Sequence, residues 1–288
     1  MTYREFVPSE LPLKKRHQLL IGAILPRPIA FVGSVDAAGN RNLSPFSFFN
    51  AFGANPVTIG FSPAYSGRTG EAKDTLNNIK ATGEFTVSIV NHAIVRQMQL
   101  AAGEYPPEVD EFELSGLTPL ESLTVTPPAV AESPFVMECT LKQIIELGGE
   151  PGSGNLILGE VAQYRVAEEV LDDKGLIDPR KLDAVGRLGG AWYTRVRDGL
   201  FSIDRRQTDV AAGFAALPEE LLTSTILTGN ELAQLAGVAT APTADAVTGP
   251  VRAKYGGLSQ DQRHYEIQAL IEDDHIDIAW MVVMMGQR

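Results

Sequence analysis

Short runs of β-branched and aromatic residues, separated by turn signals, recur along the first part of this chain and limit the folds open to it. The clearest run is Glu84–Val90, in which apolar and hydroxyl-bearing residues alternate with the period of two that is typical of a half-buried strand. Further strands are predicted at Ile29–Val35, Arg41–Ser44, Val57–Phe61, Phe135–Leu147 and Asn155–Ala167. Because these strands do not alternate regularly with long helices, the pattern favours an antiparallel barrel or sandwich over a doubly wound parallel sheet.

Helices are predicted as peripheral elements around these strands. The patterns favour a helix or a turn at Leu11–Ile21 and helices at Lys73–Ala81, Asn91–Ala102 and Asp178–Val185. In the last of these, Asp178 is the expected cap and a proline follows at the first helical position. Two segments rich in proline, hydroxyl-bearing or glycine residues, Thr118–Pro134 and Arg187–Ile203, are predicted to be irregular. We therefore expect a mainly β protein with peripheral helices.

The character of the sequence changes near Gln207. Beyond this residue the strand alternation disappears and the chain becomes rich in alanine and leucine, a composition that favours helices. We predict a domain boundary here, with residues 1–207 forming the β domain and residues 208–288 forming a helical C-terminal appendage. Extra interface is the simplest role for the appendage, although it could also cover a ligand or receive a partner.

The composition excludes several classes of function. The chain has 288 residues, 44% of them hydrophobic, and a formal net charge of −12. Such an acidic surface argues against broad contact with nucleic acid or anionic membranes, and no apolar run approaches the roughly 20 residues of a membrane-spanning helix. The N-terminus lacks a signal-peptide core, and the single cysteine, Cys139, lies in an apolar run typical of a buried thiol. We therefore expect a cytoplasmic protein with neither nucleic-acid nor membrane partners.

The segment Ser62–Thr75 has the properties of an anion-binding loop. It follows a predicted strand and precedes a predicted helix, so free backbone N–H groups and the positive end of a helix dipole are expected there. Arg68 and Lys73 add positive charges, and hydroxyl groups lie at both ends of the segment. A phosphate monoester would suit such a pocket. The alternative is an ordinary solvated loop in which Asp74 caps the helix.

The segment Asn42–Asn50 combines small hydroxyl-bearing residues with aromatic ones around Pro45. The proline removes a backbone donor, so this segment is not expected to be a central strand. A flat heteroaromatic ring could lie against it, with backbone groups at the polar edge of the ring. Spacing alone favours the alternative, in which Phe46, Phe48 and Phe49 are core residues.

Five segments of the chain, taken in their order along the sequence, resemble the motifs of a known family. They are Arg27-Pro28 before a strand, Asn42-Leu-Ser-Pro-Phe-Ser-Phe-Phe, Lys73-Asp-Thr-Leu-Asn-Asn-Ile, Glu84-Phe-Thr-Val-Ser-Ile-Val and Gly186-Arg-Leu-Gly-Gly-Ala-Trp-Tyr-Thr-Arg. Together they look like the flavin-reductase-like family of FMN-binding split β-barrels, over roughly residues 20–203. The resemblance implies a Greek-key split barrel that forms a homodimer and holds FMN near the subunit interface.

The resemblance also assigns roles to individual residues. The residues that would line the isoalloxazine ring are Ser44, Pro45, Phe46 and Ser47. Those that would hold the phosphate and the ribityl chain are Ser62, Arg68, Lys73, Asp74 and Thr75. Arg27 would lie close by, and Tyr193 and Arg195 would close the site, either from the same subunit or from its partner.

Three hypotheses of function follow. In the first, FMN takes a hydride from NADH or NADPH and passes electrons to a second flavin, oxygen or another small molecule. In the second, an FMN protein exchanges electrons with a protein partner that docks on the acidic C-terminal region, without direct use of NAD(P)H. In the third, a flavin-free binding protein keeps only the fold. No catalytic residue is identified, and the acidic turn Glu272–Asp277 lacks a ligand spacing, so no metal site is predicted.

Overall fold

The computed structural model describes residues 1–203 and 211–286. The chain divides into two compact units, Met1–Phe201 and Ser202–Arg288, which we call the barrel unit and the C-terminal unit. The boundary predicted at Gln207 lies outside the described residues and stays a prediction.

The barrel unit is built around one antiparallel sheet. The strands of the unit are β1 Ala30–Val35, β2 Arg41–Phe46, β3 Phe49–Ala54, β4 Val57–Phe61, β5 Glu84–Ile89, β6 Pro119–Leu120, β7 Ala129–Val130, β8 Phe135–Glu146, β9 Asn155–Val166, β10 Val185–Arg187 and β11 Tyr193–Arg195. Within residues 1–203, seven of them form a sheet in the order β2-β1-β5-β8-β9-β4-β3. Each strand predicted from the sequence is present, and the mainly β class is confirmed.

The connection between β2 and β3 forces this sheet to curl. The two strands lie at opposite ends of the strand order, yet only Ser47 and Phe48 join them. Since an extended chain spans at most about 3.6 Å per residue, the two edges of the sheet must meet at this corner. Among the described residues β2 and β3 form no ladder with each other, so the barrel is open along that line. Pro45 lies in β2, an edge strand, where a residue without an N–H group is tolerated.

Two apolar cores lie on opposite faces of β1, and all six residues of this strand are buried. Ala30 and Val32 face the barrel interior, whereas Phe31 faces a second core under the helices. Cys139 is fully buried in the interior core, where desolvation raises the pKa of its thiol. The cysteine is therefore the buried structural thiol that the sequence predicts.

The helices of the barrel unit are short. They are α1 Leu13–Ala23, α2 Asp74–Thr82, α3 Val95–Leu100, α4 Glu111–Ser115 and α5 Pro179–Leu182. Helix α2 buries Leu76 and Ile79 in the interior core and ends at Gly83, whose φ of 73° suits glycine. Asp178 caps α5 as predicted, since its carboxylate accepts from the N–H of Arg180.

Four sequence expectations were wrong in extent. The helix predicted over Asp178–Val185 covers only α5, and Val185 lies in β10. The helix predicted over Asn91–Ala102 covers only α3, because the preceding residues form a turn and an isolated bridge from Asn91 to Ala184. The segment Thr118–Pro134 contains the small β6–β7 pair, and the segment that begins at Arg187 contains β11, which pairs with β10. These strands have only two or three residues each, too few for an alternating pattern to be recognised.

The C-terminal unit is helical where it is described. Its helices are α6 Glu219–Leu222, α7 Gly229–Ala236, α8 Gly249–Tyr255, α9 Gln260–Glu272 and α10 Ile276–Met284. Capping boxes at Thr228 and Ser259 start α7 and α9, and the core of the unit surrounds the fully buried Trp280. In the described ranges of the chain, none of the helices combines the length and the apolar character needed to cross a membrane.

Candidate functional site

A cavity of about 1000 Å³ lies beside β2 in the barrel unit. Its walls come from β2, from the loop between β4 and α2 with the first turn of α2, from the loop 102–107 after α3, and from Glu111. This volume is at the upper end of the range that drug-sized ligands and cofactors occupy. The two segments that the sequence marks as candidate binding segments therefore meet around one cavity.

Most of the residues predicted for a cofactor line this cavity, while a few do not. The lining includes Ser44, Pro45, Phe46, Arg68, Lys73, Asp74 and Thr75. Ser47 and Ser62 lie at the β2–β3 corner instead, where the Ser62 N–H donates to the Phe48 carbonyl at 2.8 Å. The sequence left open whether Phe46 is a binding residue or a core residue. It borders the cavity and also packs against the buried Phe61, with ring centroids 5.3 Å apart.

The two predicted cations of the cavity converge on one carboxylate. The Nζ atom of Lys73 lies 2.7 Å from Oε1 of Glu104, and an Arg68 guanidinium nitrogen lies 3.2 Å from Oε2. The hydrogen bond from Lys73, followed in importance by the one from Arg68, lowers the pKa of Glu104. This carboxylate is therefore ionised at neutral pH. The start of α2 lies beside them, with first-turn N–H groups that the helix itself does not use. We call Arg68, Lys73 and this first turn the anion end of the cavity.

The hydroxyl group of Thr75 points into a buried polar network rather than at the anion end. The residue is 1% exposed, and its Oγ1 donates to Oδ1 of Asn42 at 2.8 Å. The Ser34 hydroxyl donates to the same oxygen at 3.2 Å and accepts from the Asn78 amide. Thr75 therefore orients Asn42, and any bond from Thr75 to an anion would come from its backbone N–H.

Glu111 completes this network and was not predicted from the sequence. Its carboxylate accepts from the Leu43 N–H at 2.9 Å and from the Asn42 side-chain amide at 3.1 and 3.2 Å. The residue is 6% exposed, and among the described residues no cation lies within 4 Å of it, because Arg41 pairs with the neighbouring Asp110. Burial is the main reason that the pKa of Glu111 is raised.

The raised pKa of Glu111 predicts a pH-dependent stability. The folded state favours the protonated carboxyl, so its contribution is fully present below the ordinary pKa of 4.5 and is lost as pH rises through the higher folded-state value. The stability of the wild type relative to Glu111→Gln should therefore fall between about pH 4.5 and neutral pH. Urea unfolding followed by circular dichroism measures this difference. Glu113→Gln on the same helix is the control, since Glu113 is exposed; an equal trend in both variants would contradict the assignment.

Arg27 is a brace rather than a lining residue. It is 5% exposed, and one guanidinium nitrogen donates to the carbonyls of Ile21 and Ile24, both at 2.8 Å. Its other groups donate to the Leu188 carbonyl at 3.0 Å and to the Ser47 hydroxyl at 3.3 Å. Arg27 thus ties the end of α1 and the segment after β10 to the β2–β3 corner.

Tyr193 and Arg195 line a second cleft of about 650 Å³. This cleft shares no lining residue with the first cavity among the described residues, so one subunit does not bring the two residues to that site. Arg195 forms two hydrogen bonds with Asp183 at 2.7 and 2.6 Å, and Tyr193 donates to Gln99 at 2.7 Å. A role of these residues in closing the first cavity would have to come from a partner subunit.

Comparison with known proteins identifies the family. Residues 21–186, which lie within the barrel unit, match the family described as "Flavin reductase like domain". Because the match covers more than half of the chain, the protein belongs to this flavin-reductase-like family. The resemblance inferred from the sequence motifs is thereby confirmed.

Three solved structures illustrate the likeness. Nitrilotriacetate monooxygenase component B from Bacillus cereus is 36% identical, with a TM-score of 0.66 over 70% of this chain and 100% of that one. A split barrel domain protein from Shewanella frigidimarina NCIMB 400 is 26% identical, with a TM-score of 0.61 over 71% and 99%. Flavoredoxin of Desulfovibrio vulgaris (Miyazaki F) is 28% identical, with a TM-score of 0.56 over 64% and 93%. These likenesses support a flavin-related redox role and a fold of the split-barrel kind.

Proposed function

We propose that the cavity of the barrel unit binds FMN and that the protein is an oxidoreductase in which the flavin takes a hydride from NADH or NADPH. The observation that carries the proposal is the arrangement of the cavity. Arg68, Lys73 and the start of α2 form an anion end, and Ser44–Phe46 of β2 line another part of the same cavity of about 1000 Å³. A flavin mononucleotide has the matching parts, a phosphate at one end and a planar ring at the other.

The residues present divide naturally between the parts of FMN. The ammonium of Lys73, the guanidinium of Arg68 and the free N–H groups of α2 would bind the phosphate. Asp74 borders the same end and, as an acceptor, suits the ribityl hydroxyls rather than the phosphate. Ser44, Pro45 and Phe46 would hold the ring, with Phe46 fixed from behind by Phe61. When bound, FMN would supply a hydride acceptor, and the protein would position it.

A reductase role is tested by mixing the FMN-loaded protein with NADH, and separately with NADPH, in the absence of oxygen. We expect one of them to bleach the flavin absorbance at about 450 nm within seconds, since the cofactor carries the optical signal. Reoxidation by free flavin or oxygen would then identify a small-molecule acceptor. Failure of both nicotinamides to bleach a bound flavin would contradict the reductase role.

The second candidate is an FMN electron carrier that serves a protein partner without direct use of NAD(P)H. The likeness to a flavoredoxin favours it. In the same anaerobic experiment this candidate requires that the flavin stay oxidised with either nicotinamide and become reduced only when a reduced redox protein is added. The two candidates share the site and differ in the donor.

We also propose that the barrel unit forms a homodimer in the cytoplasm, with Greek-key connections between its strands. Helix α1 has no buried residue although it contains three leucines and one isoleucine, and the edge strand β3 exposes Phe52. Exposed apolar groups of this kind mark surfaces that associate. The buried, unpaired Cys139 suits a reducing compartment. Sedimentation of the full chain tests the dimer.

A further inference from the structure

Glu104 contacts both cations of the anion end, one with each carboxylate oxygen. Its Oε1 lies 2.7 Å from Lys73 Nζ and its Oε2 lies 3.2 Å from an Arg68 nitrogen. Within residues 1–203 and 211–286, no other carboxylate lies within 4 Å of either cation. A phosphate bound at this end would need the same two cations, so Glu104 and the phosphate compete for them.

We propose that Glu104 is an internal counter-anion that a flavin phosphate must displace, so that the site discriminates weakly between FMN and dephosphorylated flavin and exchanges its flavin readily. This inference rests on the proposed function. It names the residue that sets how strongly the site prefers a phosphorylated ligand.

The loop that carries Glu104 is shaped to present it. The Tyr105 hydroxyl donates to the Leu100 carbonyl at 2.9 Å, which folds the loop back on the end of α3. A Cβ atom at Gly103 would lie 2.5 Å from the Tyr105 ring, so glycine at this position lets the ring pack closely against the loop. The two prolines that follow Tyr105 restrict the backbone further. The loop therefore places Glu104 opposite the two cations, with its side chain 47% exposed.

The charge of the cavity makes the competition significant. Its lining contains two cations, Arg68 and Lys73, together with the carboxyl groups of Glu71, Asp74, Glu104 and Glu111. A phosphate monoester carries about −1.5 to −2 charges and can outcompete one carboxylate, but the neighbouring acids oppose its entry. Neutralising Glu104 removes both a competitor for the cations and a repelling charge, whereas a ligand without phosphate should be indifferent to the change.

The test uses the full-length chain with Glu104→Gln and measures the dissociation constants of FMN and riboflavin by flavin fluorescence. We expect FMN to bind about three- to tenfold more tightly, the scale of one or two partly exposed ion pairs, while riboflavin binding changes less than about twofold. The gain for FMN should shrink at high salt because the charges are partly exposed. Glu108→Gln is the matched control, since it removes the same charge from an exposed residue nearby that contacts neither cation.

Each possible result of these titrations either supports or overturns the role of Glu104. An unchanged ratio of FMN to riboflavin affinity in Glu104→Gln, or weaker FMN binding, overturns the inference and makes Glu104 a residue that positions the cations. An equal gain in Glu108→Gln also overturns it, because the effect would then be one of net charge. If the wild type binds both flavins and only this ratio fails to move, the proposed function stands. If the wild type binds neither flavin, the proposed function fails and this inference falls with it.

Discussion

Replacing Lys73 by alanine is expected to weaken FMN binding about tenfold to a hundredfold and to leave riboflavin binding nearly unchanged. The loss of one charge-assisted hydrogen bond to phosphate costs about 1.5–3 kcal/mol, which sets this range. Because Glu104 pairs with the same ammonium, the loss should lie toward the lower end, and the effects of Lys73→Ala and Glu104→Gln should not be additive. Titration with each flavin measures the effect.

The matched control is Lys80→Ala. Lys80 lies on the same helix and also forms an ion pair, with Glu146 at 2.9 Å, but it does not border the cavity. It should leave both flavin affinities unchanged. An unchanged FMN affinity in Lys73→Ala would show that the phosphate lies elsewhere, even though the family assignment would still hold.

Much of the sheet could be predicted because its signals are local. Val57–Phe61 is a strand with the predicted bounds, and Glu84–Val90 differs from β5 by one residue, since in both cases a run of neighbouring residues carries the pattern. Strand β3 was missed for a physical reason. It is an edge strand whose residues are exposed or half-buried, so it has no buried face to impose an apolar alternation on the sequence.

The candidate site could be predicted only in part, because some of its charged residues come from segments that are far apart in the sequence. Arg68 and Lys73 share one short segment and stand out as charged residues next to a helix start. Glu104 meets them from a loop more than thirty residues away, and Glu111 reaches Asn42 from still further along the chain. No local pattern encodes such pairings.

Arg27 shows the same limit in another way. Its position before a strand could be recognised, but its partners are mostly backbone carbonyls, those of Ile21, Ile24 and Leu188. Every residue has a carbonyl group, so the sequence does not reveal which of them an arginine will find. The Arg27 guanidinium therefore connects segments at the barrel corner, and its place near a cofactor stays a prediction.

Replacing Trp280 by alanine is expected to unfold the helices of the C-terminal unit while flavin binding persists. Trp280 is fully buried among Leu221, Leu235 and Ile267, and its Nε1 donates to the Leu235 carbonyl at 3.0 Å. Removing such a side chain costs about 3–5 kcal/mol, because it leaves a cavity and loses apolar burial. That is a large fraction of the stability of a unit of this size. The lining of the cavity lies entirely in the barrel unit, so its residues are not directly disturbed.

The sequence offers an internal control, since its only other tryptophan is Trp192, which is 74% exposed in the barrel unit. Trp192→Ala should change stability by less than about 0.5 kcal/mol. Helical circular dichroism and limited proteolysis report on the C-terminal unit, and flavin titration reports on the cavity. If Trp280→Ala abolished flavin binding together with the helical signal, the cavity would depend on the C-terminal unit. The hypothesis that this unit covers the ligand would then replace the simpler one of extra interface.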